Sequence, residues 1–396
     1  MSYLNKAKEL FEEAKNIRRK LHQNAEVGFE LPKTLALVAE QLDAFGIEYE
    51  KIDGADALVG TFGNPDKGKT LLLRADMDAL PMKELSGLPF ASVNGNFHAC
   101  GHDMHAASLL ITLKMLKEDE EKLAGQIKFL FQPAEETLNG GKLMLEKNIL
   151  ENPKPDAGMT LHMWPSGDEL GILVPEKEAL ASALNFRIKI KGKGAHGATP
   201  YNGIDPVFVG SQIINAANGI LARELPSNKG ASLSMGYFDA SNGAVNIVPE
   251  SVTIEGTSRS LYAESAKHVA ERLPEVVEHI GKAFRAETEY SELANVPSLV
   301  NSADMSRLVK EAAEKVLSDK YSVDYTEPML ASDDYAHIAS RLAQSCYFFV
   351  SCPLPDEAGN LYPLHNPKVR FNEEALIIGP ATMAEAASRW LRKNCD

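Results

Sequence analysis

The run Thr70-Leu71-Leu72-Leu73-Arg74-Ala75-Asp76-Met77-Asp78 decides the architecture of this chain. Its first half is too short and too uniformly apolar for an amphipathic helix, and it reads as a strand buried on both faces. Ile127–Phe131 (IKFLF) and Ala157–Leu161 (AGMTL) share that texture. Helical stretches around Met104–Leu116 and Gly141–Leu150 lie between these strands, and such alternation indicates an α/β layered core. Upstream, Leu10, Phe11, Ala14, Ile17 and Leu21 recur at helical spacing and predict one amphipathic helix. A second helix is expected after Pro32, with Thr34 as a possible N-cap and Leu35, Val38 and Leu42 on one face.

From about Ala183 the pattern changes. Phe186, Ile188 and Ile190 alternate with Arg187, Lys189 and Lys191, the mark of a half-exposed strand. A helix at about Pro206–Arg223 follows, then strands at Ala231–Phe238 and Ser251–Ser260, a helix at Glu264–Phe284 and a strand at Glu287–Leu293. That order is β-α-β-β-α-β, the ferredoxin-like split unit. After Val296–Pro297 the α/β texture returns, with a helix at Met305–Leu317, a strand at Cys346–Val350 and a last helix at about Glu373–Arg392. Gly379-Pro380 predicts a kink or break in that last helix. The expected organisation is a core domain built from residues 1–182 and 296–396, split by a smaller domain over residues 183–295.

Composition narrows the function classes. With 396 residues, a quotient of about 150 per domain gives two to three domains. Lys plus Arg is 41 and Asp plus Glu is 55, a formal charge of −14, which lacks the electrostatic footprint of a nucleic-acid or anionic-membrane binder. No run approaches the ~18 apolar residues of a membrane helix, and the charged N-terminus has no signal-peptide stretch. Cys100, Cys346, Cys352 and Cys395 show no disulfide-scaffold spacing, so a reducing cytoplasm is the expected compartment.

Each early strand ends in residues able to bind metal. Asp76 and Asp78 follow the first, Gln132-Pro133-Ala134-Glu135-Glu136 the second and His162 the third; His98-Ala99-Cys100-Gly101-His102-Asp103-Met104-His105 lies between the first two. Ligands of open α/β sheets sit outside the carboxyl ends of strands. Taken singly, most of these residues have plain alternatives. Adjacent glutamates are usually solvated, a lone cysteine is usually a small buried hydrophobe, and His98 or His105 could be a satisfied helix-end histidine. Cys100 and His102, at i and i+2, can point the same way from extended backbone. Together the set offers thiolate, imidazole and carboxylate, which suits zinc, manganese, cobalt or nickel better than calcium or magnesium. Several carboxylates with scattered histidines favour an open two-metal hydrolytic site over a closed structural one. His365, in Leu364-His365-Asn366-Pro367, is a candidate fifth ligand. In the middle region His196 lies between glycines, and Asn246 and Arg259 end or enter strands. No dinucleotide, nucleophile-elbow or Walker-type loop is present.

The motifs RADMDALP, HACGHDMHAA, FQPAEE, LHMWP, GKGAHGATP, AVNIVPE, GTSRS and LHNP follow one another from Arg74 to Pro367. In that order they resemble the di-metal amidohydrolase family of aminoacylases, hippurate hydrolases and indole-3-acetyl-amino acid hydrolases, related more distantly to carboxypeptidase G and bacterial dipeptidases. The resemblance implies a zinc-peptidase-like catalytic domain with an inserted lid and dimerisation domain, and hydrolysis of the amide bond of N-acyl-amino acids. It also implies two divalent ions held by Cys100, His102, Glu136, His162 and His365, with Glu135 as general base and acid. Asp78 aligns with the family's supporting aspartate, and Asp76 stands where relatives carry a ligand histidine. His196, Asn246 and Arg259 match residues that grip the substrate's carboxylate and the developing oxyanion, the histidine often coming from the partner subunit of a homodimer. Relatives usually show Ser-Glu-Asp-Phe upstream of the last ligand, whereas this chain has Ser332-Asp333-Asp334-Tyr335. The rival readings are a dipeptidase or carboxypeptidase-type metallopeptidase acting on small peptides, and a catalytically silent binding module, which Glu135 argues against.

Overall fold

A computed structural model describes residues 1–241, 243–317 and 320–395. The chain divides into two compact units: Met1–Ala179 with Val300–Glu327 and Asp334–Asp396, and Leu180–Leu299 with Pro328–Asp333. Elements are numbered along the whole chain.

The first unit contains β1 (Glu50–Lys51), β2 (Leu58–Gly63), β3 (Thr70–Asp76), β4 (Gln126–Gln132), β5 (Ala157–Trp164) and β6 (Gly171–Pro175). Its helices are α1 (Tyr3–Glu9), α2 (Phe11–Gln23), α3 (Pro32–Ala44), α4 (His102–Glu118) and α5 (Gly140–Glu146). Two short strands, β7 (Glu178–Leu180) and β14 (Leu299–Val300), mark where the chain leaves and re-enters this unit. It is completed by α8 (Ala303–Leu317), β15 (Ser322–Thr326), α9 (Tyr335–Ala339), β16 (Gln344–Ser351) and α10 (Ala375–Lys393). The strands form one sheet in the order β1-β2-β4-β3-β5-β16-β6-β15. Its centre, β4-β3-β5-β16, is parallel.

These central strands are buried on both faces, as continuous apolar runs require, but the faces differ. Leu71, Leu73, Ile127, Phe129, Met159, Leu161, Phe348 and Val350 join the main apolar cluster with α4, α8 and α10. The alternate residues include Arg74, Asp76, Lys128, Gln132, Thr160 and His162, all buried. Period-two alternation therefore separates a purely apolar face from one that buries charge.

The second unit contains β8 (Ala183–Lys191), β9 (Ala195–His196), α6 (Pro206–Arg223), β10 (Ser232–Ser241), β11 (Ile247–Val248), β12 (Ser251–Arg259), α7 (Ala263–Ala283) and β13 (Glu287–Val296). Four strands pair antiparallel in the order β10-β12-β8-β13, the arrangement of the split β-α-β unit. Phe186, Ile188 and Ile190 pack with Ile213, Leu273 and Val277 of the two helices. Together the two units give the layered α/β catalytic core with an inserted ferredoxin-like domain that the element order predicts.

Four local expectations are corrected. The N-terminal helix divides at Leu10 (φ −88°, ψ 2°) into α1 and α2. Thr34 is not the N-cap of α3. Leu31 holds that position, Pro32 opens the helix, and the Glu26 carboxylate accepts from the free N–H groups of Lys33 (3.0 Å) and Thr34 (2.8 Å). The helix expected to reach Leu150 stops at Glu146, because Asn148 turns left-handed (φ 59°). Finally, of the kink or break expected at Gly379-Pro380 the break does not occur, and α10 continues from Ala375 to Lys393. An interior proline costs about 3 kcal/mol, but every residue from Ala375 to Ser388 is buried, and that packing holds the helix together. No helix among the described residues is long and apolar enough to cross a membrane.

Candidate metal centre

The polar residues collect where β3, β4 and β5 end. Asp76 closes β3 and Asp78 lies two residues beyond. Glu135 and Glu136 follow β4, and His162 lies near the end of β5. Cys100 and His102 approach from the start of α4, but not from extended backbone as their spacing suggested. Gly101 turns left-handed between them (φ +85°), and His102 is the first helical residue. A Cβ on Gly101 would meet Phe371 at 3.2 Å and Met163 at 3.3 Å, so the corner requires glycine for both its conformation and its space.

Among the described residues several groups of three have donor atoms within 4.8 Å of one another, and two of them share a sulfur: Cys100, His102 and His162 form one, and Cys100, Glu136 and His365 the other. Cys100 belongs to both. Its Sγ lies 3.5 Å from His162 Nε2, and Glu136 Oε2 lies 3.4 Å from His365 Nε2. His365 is held in a left-handed conformation (φ 62°) while its N–H donates to the Ala99 carbonyl (3.1 Å). Such a conformation costs a non-glycine residue about 1–3 kcal/mol and persists only where its surroundings impose it.

The residues fit divalent cations on several counts. Neither ring nitrogen of His102 makes a hydrogen bond, nor does Glu136 Oε1, although all three are buried. Burial alone would strip His102 of its proton, yet Asp76, Asp78 and Glu136 outweigh it and raise the ring to about 10. That is the negative field in which a cation is stabilised. His162 is pushed the other way, well below its usual range, by burial and by His105. Its Nδ1–H donates to the Met163 carbonyl (2.8 Å), leaving Nε2 as a lone-pair donor beside Cys100. Orientation of a ligand imidazole by such a second bond is the usual pattern at metal sites.

Asp78 is a clamp. One oxygen accepts from Glu135 N–H (2.9 Å), the other from Glu136 N–H (3.1 Å), and Oδ1 also stands 3.5 Å from His102 Nδ1. Ala134, just before the glutamates, is left-handed (φ 59°), which turns the chain off β4. Glu135 is itself buried, with Oε2 at 3.8 Å from His102 Nε2. Asp76 serves differently: it accepts from Arg74 Nη1 and His105 Nδ1, both at 2.6 Å.

Behind the site lies a network that sequence reasoning missed. Arg74, fully buried, also donates to Gln132 Oε1 (3.1 Å) and Asp334 Oδ1 (3.1 Å), and Asp334 Oδ2 accepts from Gly141 N–H (2.7 Å). The available signal was parity: Arg74 shares a strand face with Asp76. A second buried cluster joins Arg18 and His22 of α2 to Asp103, at 2.6 and 2.8 Å, and His22 to Glu84. His98 lies near it, driven down to about 3 by burial.

Among the expected substrate residues, His196 and Asn246 are neighbours in the second unit. β9 and β11 pair His196 with Ile247, and Gly197 N–H donates to the Asn246 carbonyl (2.7 Å). His196 Nδ1 accepts from Ala198 N–H (3.1 Å), which leaves Nε2 as the ring's N–H donor. Arg259 closes β12, half-buried, and spends its Nη1 on neutral acceptors such as Ser258 O (3.0 Å). Among the described residues no carboxylate lies within ion-pair distance of it.

Two clusters of soft and hard donors sharing one thiolate, with a buried carboxylate alongside, define a two-metal hydrolase. Residues 72–389 match the model of Peptidase family M20/M25/M40, and the chain belongs to that family. It is 32% identical to a hippurate hydrolase from Campylobacter jejuni over 96% of this chain and 97% of that protein. It is 34% identical to thermostable carboxypeptidase 2 from Saccharolobus solfataricus, over 98% of each. A solved dinuclear metal-binding M20 peptidase from Bacillus subtilis superposes with a TM-score of 0.79 at 28% identity, covering 97% of this chain and 99% of that one. The protein is a metal-dependent amidohydrolase that works with two divalent metal ions.

Proposed function

We propose that this enzyme hydrolyses the amide bond of N-acyl-amino acids, with Cys100, His102 and His162 holding one ion and Cys100, Glu136 and His365 the other. The observation that carries the substrate class is Arg259, a half-buried guanidinium without an acidic partner among the described residues. A free carboxylate, the group an N-acyl-amino acid always presents, would pair with it as a charge-assisted fork. The hippurate hydrolase relative supports the same class. The mixed thiolate, imidazole and carboxylate donors favour zinc, manganese, cobalt or nickel.

Bound ions supply the positive charge that polarises a carbonyl and acidifies water. Glu135 takes the proton from the attacking water and returns it to the leaving amine. Asp78 holds the Glu135 main chain in place for both transfers. Asp76 acts from behind, through His105, and is not itself a proton carrier. His196 donates from Nε2 to the developing oxyanion, and Asn246 shapes the loop beside it. The free cysteines suit a reducing cytoplasm.

A second copy of this chain fits the free edge of β10, where Tyr237 and Phe238 are exposed, as are Val207 and Phe208 of α6. Pairing edge to edge would extend the sheet and cover these side chains. Light scattering should read twice the chain mass, and a monomer at micromolar concentration would remove this reading.

The substrate proposal is tested with acetyl-, benzoyl- and indole-acetyl-amino acids against unblocked dipeptides, on enzyme reloaded with each metal in turn. Acylated substrates should be preferred by at least an order of magnitude; preference for unblocked dipeptides would favour the peptidase reading. Arg259→Ala should chiefly raise KM, by about 10- to 100-fold if a buried charge-assisted pair of about 1.5–3 kcal/mol is lost. An unchanged KM would remove its role.

A further inference from the structure

The large sheet opens at its functional edge. β3 and β5 pair in register from Leu71↔Ala157 to Arg74↔Thr160 and no further. Both strands continue, however: β3 to Asp76, held by β4 through Asp76↔Gln132, and β5 to Trp164, held by β16 through Ser351↔Trp164. Thr160 Oγ1 closes the last rung by donating to the Arg74 carbonyl (3.0 Å). Beyond that rung the main-chain groups of Met163 have no β3 partner, and a buried N–H or C=O left without one is costly.

Two imidazoles take their place. Met163 N–H donates to His105 Nε2 (2.9 Å), and the Met163 carbonyl accepts from His162 Nδ1 (2.8 Å). The other nitrogen of His105, Nδ1, donates to Asp76 Oδ1 (2.6 Å), the carboxylate anchored by Arg74. The His105 ring thus spans the gap from β3 to β5. It packs against both His162 and His102, with ring centroids 4.4 and 5.2 Å away. Both its nitrogens are committed, which separates it from His102, whose nitrogens are not. Although Asp76, His102 and His105 stand close enough to form a metal-binding group, His105 has no lone pair to offer.

We propose that His105 is a positioning residue. It wedges the split between β3 and β5 and, through the Met163 backbone, fixes His162 so that its Nε2 faces Cys100. The Asp334–Arg74–Asp76 chain anchors the wedge from the β3 side. This rests on the ligand assignment made above for Cys100, His102 and His162. The consequence is selective: His105 governs the ion on those three residues and leaves the ion on Cys100, Glu136 and His365 largely alone.

The test is equilibrium dialysis of the full chain against cobalt(II), with ions counted per chain and the thiolate-to-cobalt absorption followed. His105→Phe keeps the ring and loses both hydrogen bonds; His105→Gln keeps an amide donor and acceptor. The Phe variant should weaken one of the two ions by about 10- to 100-fold, the range expected for partners behind a metal ligand, with the other changed less than threefold. The Gln variant should recover most of the loss. Two parental dissociation constants in His105→Phe, or equal weakening of both ions, would overturn the proposal. Should the Phe variant not fold, Asp76→Asn, which loosens the anchor of His105, must weaken the same single ion, and no change there overturns the proposal equally. His162→Ala separates the two levels. If it leaves both ions bound, the ligand assignment itself is wrong, and if it removes one ion while His105→Phe removes none, only the wedge fails.

Discussion

Exchange of Glu135 for Gln should lower kcat by about two to four orders of magnitude, the usual contribution of a positioned general base. Both ions should remain bound. The amide keeps the size of the carboxylate, and the clamp on this residue works through its main chain, where Asp78 Oδ1 accepts from Glu135 N–H at 2.9 Å. The substitution therefore removes the proton acceptor without disturbing the turn that presents it. Neither donor group that shares Cys100 includes Glu135, although Glu135, His102 and Glu136 also lie near enough to form a group of their own. Metal analysis decides between these roles. Two ions per chain with lost turnover supports the base, whereas loss of an ion would make Glu135 a ligand.

A larger effect is expected at Cys100. Its sulfur is common to both donor groups, so Cys100→Ser should lower occupancy at both positions, where His162→Ala or His365→Ala should each cost one ion. A serine hydroxyl at neutral pH is a far weaker ligand than a thiolate. Activity should fall below detection, and metal content below one ion per chain at a free concentration that saturates the parent. If Cys100→Ser keeps two ions with parental affinity, the shared-thiolate arrangement is wrong.

The sequence made the outline of this site legible for a physical reason. Strands buried on both faces read as unbroken apolar runs, so polar residues at their ends stand out, as Asp76, Glu135 and His162 did. The four-stranded domain was equally readable, because Phe186, Ile188 and Ile190 alternate with charges on a half-exposed sheet. Arg74 was harder to interpret. It looks like the end of an apolar strand, and only its long-range partners Gln132 and Asp334 show it to be a buried anchor. His105 could be placed at a helix end but not in the opening between β3 and β5, since where two strands part depends on pairing across the sheet. Pro380 does not end α10 because helix rules are local, while α10 is held by burial along nearly its whole length. Asp76 and Asp78 illustrate the same limit. They stand two residues apart at one strand end, yet one anchors Arg74 and His105 and the other clamps the two glutamates.

The central claim is that one thiolate serves two ions. Its most direct measurement is a crystal structure of the metal-loaded enzyme, with anomalous data collected on both sides of the metal absorption edge. The account predicts two anomalous peaks within bonding distance of Cys100 Sγ, one shared with His102 and His162 and the other with Glu136 and His365. A single peak, or two peaks of which Cys100 ligates at most one, would contradict it.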